Sequence, residues 1–208
     1  QDLQDAARQM RDAANAMRQA AAGGDGNASQ QAQRALERLQ ETEKKLQRGL
    51  SDRAERDIKD AQEQAEQLAR DQQEIQSGIR GLNNLTTGRR AEEARRINER
   101  KDALEQKLGE LESRLDSASR DASSREKESS KKLADAAGTI RNERLRDKVR
   151  YSKALVNRGI SPDSLQANEN DIASGIDQVR EKLDQAASSL GAGGGAGDKK
   201  DETVDKAR

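Results

Sequence analysis

Leu165, Glu169, Ile172, Ile176, Val179, Leu183, Ala186 and Leu190 follow one another in alternating steps of four and three. Such steps place side chains on one narrow stripe of an α-helix, and a stripe of that width buries a seam against another helix. The same alternation runs through Ile97, Lys101, Leu104, Leu108, Leu111, Leu115, Ala118 and Ala122. A third stripe reads Ala32, Leu36, Leu39, Glu43, Leu46, Leu50, Ala54, Ile58, Ala61, Ala65, Leu68, Gln72, Ile75, Ile79 and Leu82. Its consecutive steps of four between Leu46 and Ile58 are a stutter, which locally unwinds a left-handed supercoil. The chain is therefore expected to be all-α, with elongated antiparallel coiled-coil helical hairpins forming a bundle.

Composition sharpens that expectation. The 208 residues include no Phe, Trp, His or Cys, and 38% are charged. Chains this poor in large apolar residues are often disordered. Here, however, 39 basic residues balance 39 acidic ones, so self-repulsion is small, and the apolar residues keep helical period. Folded helices are the reading; a desiccation-type chain that folds only when dried or bound fits the polarity but not the ordered seams. The absence of Cys removes disulfide and thiol chemistry, and no run of about 18 apolar residues is present to span a membrane.

Boundary signals divide the chain. A weak N-terminal helix is expected over 1–22, with Leu3, Met10 and Met17 in heptad phase and Ala6, Ala13 and Ala20 beside them. Because that phase is already set at the start, the helix is expected to continue from upstream in a longer protein. Gly23-Gly24-Asp25-Gly26-Asn27 breaks it. A long helical hairpin is expected over 28–122, with Asn27 as N-cap and a turn near 81–88, within the stretch 78–88 where three glycines and Asn83-Asn84 cluster. Leu82 and Leu85 would plug the end of its seam. A second hairpin is expected over 126–190. Ser123 and Glu126 match a capping box, so the helix is either interrupted across 123–130 or passes through as a solvated stretch. The first arm of this hairpin carries Leu133, Ala136, Ala137, Ile140, Leu145, Val149, Leu155 and Val156. Its turn lies at 159–162, where Gly159 stops one helix and Ser161-Pro162-Asp163 starts the next. Gly191 is expected to end the last helix, leaving 191–208 as a disordered linker or tail.

Little in the chain can carry chemistry. Without His or Cys, the usual zinc, copper and haem sites are excluded, as is a Glu-x-x-His di-iron bundle. Almost every carboxylate has a Lys or Arg three or four residues away, and Glu37, Glu41 and Glu43 sit beside Arg38, Lys44 and Lys45, which reads as a solvated ion-paired face. Asp25-Gly26-Asn27 lacks the spacing of a calcium loop, and the glycines of 191–197 precede Asp198 rather than the Lys-Ser/Thr of a phosphate loop. No catalytic, cofactor-binding or metal residue is assigned, no cofactor or small-molecule substrate is expected, and enzyme activity ranks last.

One stretch has a functional alternative. Residues 141–158 hold seven basic side chains against Glu143 and Asp147, and Arg144, Arg146, Lys148, Arg150 and Lys153 could contact an anionic surface or a partner. The last helix is acidic, with six carboxylates from Asp163 to Asp184 against Arg180 and Lys182, so the two are expected to pair with one another. Tyr151, the only aromatic residue, is expected to pack in or near a seam. With no aromatic platform for bases, nucleic acid is not the expected partner, and a membrane would be reached only through flanking sequence. The expected partners are other helices, in cis or in a homo-oligomer, or another protein. The main seam residues are Leu104, Leu108, Leu111, Leu115, Ile172, Ile176, Val179 and Leu183.

The stretches RINERKDALEQKLGELESRLD and IRNERLRDKVRYSKALVNRGISP, following an Ala/Gln/Arg-rich region and a turn, resemble the extended helical segments of large bacterial membrane-anchored proteins of unknown function. The resemblance covers most of the chain, and LRDKVRYSKALV is its most specific part. It implies a helical scaffold or spacer in the periplasm or cell envelope, belonging to a longer chain, and it brings no catalytic residues.

Overall fold

A computed structural model describes Arg8, Arg11, Asp12, Ala14, Asn15, Arg18 and residues 27–123 and 126–193. The elements are α1 (Asn27–Gly81), a 3-10 turn (Leu82–Asn84), α2 (Thr87–Ala122), α3 (Lys127–Asn142), α4 (Leu145–Asn157) and α5 (Pro162–Gly193). Among the described residues there is no strand, and no helix is long and apolar enough to cross a membrane. The chain divides into two compact units, Gln1–Arg53 and Ala54–Arg208.

In the first unit, the helix expected over 1–22 is described only at the six residues named above, each helical and exposed; the rest of it, and the turn before Asn27, lie outside the described residues. Along the first part of α1 the apolar stripe is only partly covered. Leu36 is 53% exposed and Leu50 38%, whereas Thr42 is buried and donates its hydroxyl to Arg38 O at 2.7 Å.

In the second unit, four helical arms pack together: α1 from Ala54 onward, α2, α3 continued by α4, and α5. One core runs through them. The stripe of α1 is buried from Ile58 through Ala61, Ala65, Leu68, Gln72, Ile75 and Ile79, and that of α2 from Ile97 to Ala122 without exception. Leu165, Glu169, Ile172, Ile176, Val179, Leu183 and Ala186 are buried on α5. Neighbouring arms run antiparallel, as the pairs Arg114–Asp60 and Lys107–Asp71 show for α1 and α2. Leu82 and the partly buried Leu85 close the core beside the first turn, and Arg90 Nε donates to Leu82 O at 3.0 Å.

Several expectations are corrected. The helix anticipated from 126 to the turn at 159–162 is two helices, because Arg144 sits in the left-handed region at φ 49°. The cause is a spacing error in the stripe: Ala137 and Ile140 are followed not by an apolar residue four on but by Leu145, five on. One residue outside the helical spiral restores the phase, and Leu145, Val149, Ser152 and Val156 are then all buried. The capping box is not formed, since Ser123 Oγ donates to Arg120 O at 2.7 Å and Glu126 begins α3 without a side-chain cap. The last helix continues past Gly191 to Gly193, and 194–208 lie outside the described residues. Tyr151 is 56% exposed: it precedes the seam residue Ser152, about 100° round the helix.

Candidate functional site

Midway along the core, four seam positions carry polar side chains, one on each arm: Gln72 on α1, Lys101 on α2, Ser152 on α4 and Glu169 on α5, while Ser129 and Ser130 at the start of α3 are buried polar residues apart from them. Each of the four is flanked along its own stripe by apolar residues, Leu68 and Ile75, Ile97 and Leu104, Val149 and Val156, Leu165 and Ile172. Helical phase therefore forces the four polar side chains inward, where they meet in one layer.

Glu169 is its hub. Lys101 Nζ donates to Glu169 Oε1 at 2.7 Å, with both side chains 0% exposed. The Ser152 hydroxyl donates to the same oxygen. Gln72 Nε2 lies 2.8 Å from Glu169 Oε2 and 3.1 Å from its main-chain oxygen, which also accepts from Gln76 Nε2 at 3.0 Å. Both carboxylate oxygens are thus hydrogen-bonded. The ammonium is less well served: Glu169 is its one partner among the described residues, although an ammonium has three N–H donors. Burial accordingly lowers the pKa of Lys101 below its ordinary value, and the attraction and hydrogen bond of Glu169 offset part of that shift.

The layer has the chemistry of a register lock. Taking two charges out of water is costly, and the cost is recovered only when they meet with good geometry. Sliding α5 along α2 by one heptad would leave Glu169 among leucines and Lys101 without its acid. Polar groups in otherwise apolar seams specify register in this way. Since neither charged group touches solvent, the layer itself offers no surface on which a substrate could react.

The basic residues of 141–158 occupy a different place from the one expected. Pairing with the acidic α5 is corrected: Arg141 bonds Glu112 at 3.1 Å and Asp116 at 2.7 Å, Arg150 bonds Glu105 at 2.7 Å, and Lys153 bonds Asp102, all on α2. Carboxylate contacts raise the pKa of Arg141 and Arg150 above the ordinary guanidinium value, the hydrogen bonds to Asp116 and Glu105 being the largest causes. Arg146 lies 4.0 Å from Glu105, and Lys148 bonds Glu143 at 3.2 Å. Arg144, beside the helix break, makes no ion pair among the described residues.

Position along the stripes explains the choice. Arg141, Arg146, Arg150 and Lys153 each follow a seam residue by one, as do their α2 partners Asp102, Glu105, Glu112 and Asp116. On the opposite flank of α2, Arg100, Lys107 and Arg114 each precede a seam residue by one, and they reach Glu74, Asp71 and Asp60 on α1. Helix α2 thus presents bases to α1 and acids to the α3–α4 arm. The α5 carboxylates are used elsewhere, Asp177 by Arg180 and Asp184 by Gln62 of α1. Such exposed pairs each contribute only about 0.2–1 kcal/mol, but they discriminate between neighbours.

All eight expected seam residues, Leu104, Leu108, Leu111, Leu115, Ile172, Ile176, Val179 and Leu183, are buried in the common core. What sequence reasoning missed is the pairing of Lys101 with Glu169 and the part played by Ser152. The available signal was opposite charges on two seams, with Ser152 three residues after Val149 and four before Val156. Among the described residues no group of three or more acidic, His or Cys side chains is placed to hold a metal ion. Comparison with protein families, with curated proteins and with solved structures gives no match to this chain.

Proposed function

We propose that the chain is a non-catalytic structural and interaction module, a coiled-coil scaffold or spacer belonging to a larger bacterial cell-envelope protein. The observation that supports this reading best is the closed polar layer of Gln72, Lys101, Ser152 and Glu169. It fixes how four arms align and exposes no reactive group, as suits a part whose task is to hold a geometry. The envelope assignment rests on the resemblance, carried by the stretches 96–116 and 140–162, to helical segments of membrane-anchored bacterial proteins. Partners in this reading are other helices, in a homo-oligomer or in a second protein.

Binding of DNA or anionic membrane through Arg144, Arg146, Lys148, Arg150 and Lys153 is the competing reading. The acids already bonded to Lys148, Arg150 and Lys153 weigh against it. Circular-dichroism melting of the full chain and its Leu108→Asp and Ile176→Asp variants, run beside low-salt retention on DNA and on phosphatidylserine vesicles, separates the two. The scaffold reading expects one cooperative melt that either substitution abolishes, and no retention. Unchanged melting, or salt-sensitive retention lost when the five basic residues become Glu, would overturn it.

A further inference from the structure

Where the α3–α4 arm breaks, a cavity of about 230 Å³ opens against α2. Four arginines line it: Arg141 from α3, Arg144 at the break, and Arg146 and Arg150 from α4. Glu112 of α2 and Asp147 of α4 are the acids of the lining. The break itself assembles the set. Arg141, Arg146 and Arg150 each follow a seam residue by one, which keeps them on the flank facing α2, and the left-handed Arg144 carries that flank across the interruption. Gly109 makes room on α2, since a Cβ there would come within 3.3 Å of the Arg146 guanidinium carbon.

Two of the four guanidiniums are engaged. Arg141 bonds Glu112 and Asp116, and Arg150 bonds Glu105 and Asp147; Asp116 and Glu105 do this from outside the lining. The other two are not. Arg144 and Arg146 make no hydrogen bond among the described residues, and Glu105, already held by Arg150, stands 4.0 Å from Arg146. The Nε of Arg146 is sealed from solvent, but the side chain as a whole is 44% exposed, so its terminal nitrogens are the donors left to a ligand. Within the lining, four cations face two carboxylates. That balance repels a cation, and a neutral ligand leaves it unmatched. A carboxylate offsets one charge. A phosphate dianion offsets both and has oxygens enough for each free guanidinium. The volume lies below the roughly 300–1,000 Å³ of pockets that enclose a drug-sized molecule, which suits a small ion or a single phosphoryl group.

We propose that the cavity at the α3–α4 break binds a phosphate dianion, free or as the head of a phosphomonoester, through Arg144 and Arg146. Bound there, phosphate bridges the residues on either side of Leu145 and braces the arm at its interruption. The site is narrower than the anionic surface weighed above. A phosphodiester carries a single charge and leaves one guanidinium unmatched, so neither DNA nor phosphatidylserine is its ligand. The inference goes beyond the scaffold reading and does not depend on it.

The test is titration of the ¹⁵N-enriched full chain with inorganic phosphate, methyl phosphate and dimethyl phosphate at about pH 8, where the first two are dianions, with ionic strength held constant by chloride. The expected result is saturable movement of the backbone amide signals of Leu145, Arg146 and Asp147 with inorganic phosphate, in the millimolar range typical of so small a contact, and none with dimethyl phosphate. Arg144→Gly keeps the left-handed turn and Arg146→Gln keeps the length of the side chain; each should weaken binding at least tenfold. Arg158→Gln removes a charge at the far end of α4 and should leave binding unchanged. No saturable shift, an equal response to dimethyl phosphate, or equal weakening by Arg158→Gln would overturn the proposal. A response to methyl phosphate as strong as that to inorganic phosphate supports a phosphomonoester as the source, and a response to inorganic phosphate alone supports the free ion.

Discussion

Leu145 sits in a notch made by Gly175: its Cγ and Cδ1 lie 3.3 Å from where a Cβ on Gly175 would stand, and its Cδ2 would overlap that atom. Leu145 is the residue that the break at Arg144 returns to the core, so the helix interruption and the glycine on α5 belong to one fit.

Gly175→Ala is therefore expected to destabilise the bundle, by about 1–3 kcal/mol for overpacking against a gain of about 1 kcal/mol in helix propensity. Gly109 is the control, since a Cβ there would meet only the guanidinium of Arg146 at 3.3 Å, the end of a flexible side chain. Gly109→Ala should be neutral or stabilising by up to about 1 kcal/mol. Urea unfolding of both variants checks this, and Leu145→Ala should remove most of the penalty of Gly175→Ala.

The buried pair predicts strong non-additivity. Lys101→Met leaves Glu169 in the core without its cation and should cost about 3–5 kcal/mol, and Glu169→Leu should cost a similar amount by stranding the ammonium. With both replaced, stability should return to near the parent value or exceed it by about 1–4 kcal/mol. A double-mutant cycle in urea measures the coupling; additive losses would show that the two charges do not act as a unit.

The direction of the Lys101 shift fixes a pH dependence. In the unfolded chain this lysine holds its proton up to about its ordinary 10.5, whereas burial makes the folded chain release it at lower pH. Between the two values unfolding takes up a proton, so the penalty for burying the charge is relieved and the contribution of this residue to stability rises with pH, by at most about 1.4 kcal/mol per pH unit. The difference in unfolding free energy between the parent and the Lys101→Met/Glu169→Leu variant, followed from neutral pH toward 10.5, should move in favour of the parent.

At the α3–α4 break, Arg144 holds φ 49°, a conformation that L-residues other than Gly adopt at a cost of about 1–2 kcal/mol. Arg144→Gly should stabilise the chain by roughly 1 kcal/mol, read as an increased melting temperature. A loss instead would show that the Arg144 side chain contributes more than its backbone costs.

Much of this architecture was legible before any coordinates. The alternation through Ile97–Ala122 and Leu165–Ala186 marks which residues are buried, because a fixed helical period leaves no choice of face. The all-α class and the inward-facing Leu104, Leu108, Ile172 and Ile176 follow from it. Other features depend on several helices at once. Lys101 and Glu169 each stand in a good stripe, but only the bundle brings the two stripes to the same level. Net charge per segment points Arg141 and Arg150 toward the wrong helix. The choice is instead made flank by flank, and α2, mixed in overall charge, carries an acidic edge. The break at Arg144 was present in the stride of five from Ile140 to Leu145, a local signal hidden by the good helix formers around it.

The closed contact between Lys101 and Glu169 also governs how such a chain can change over generations. With either charge alone expected to be costly to lose and both together to be tolerated, the pair would sit across a fitness valley that stepwise substitution does not readily cross. Descendants of this sequence should keep both residues or have exchanged both, and a lineage in which only one remains marks a bundle whose arms have been realigned.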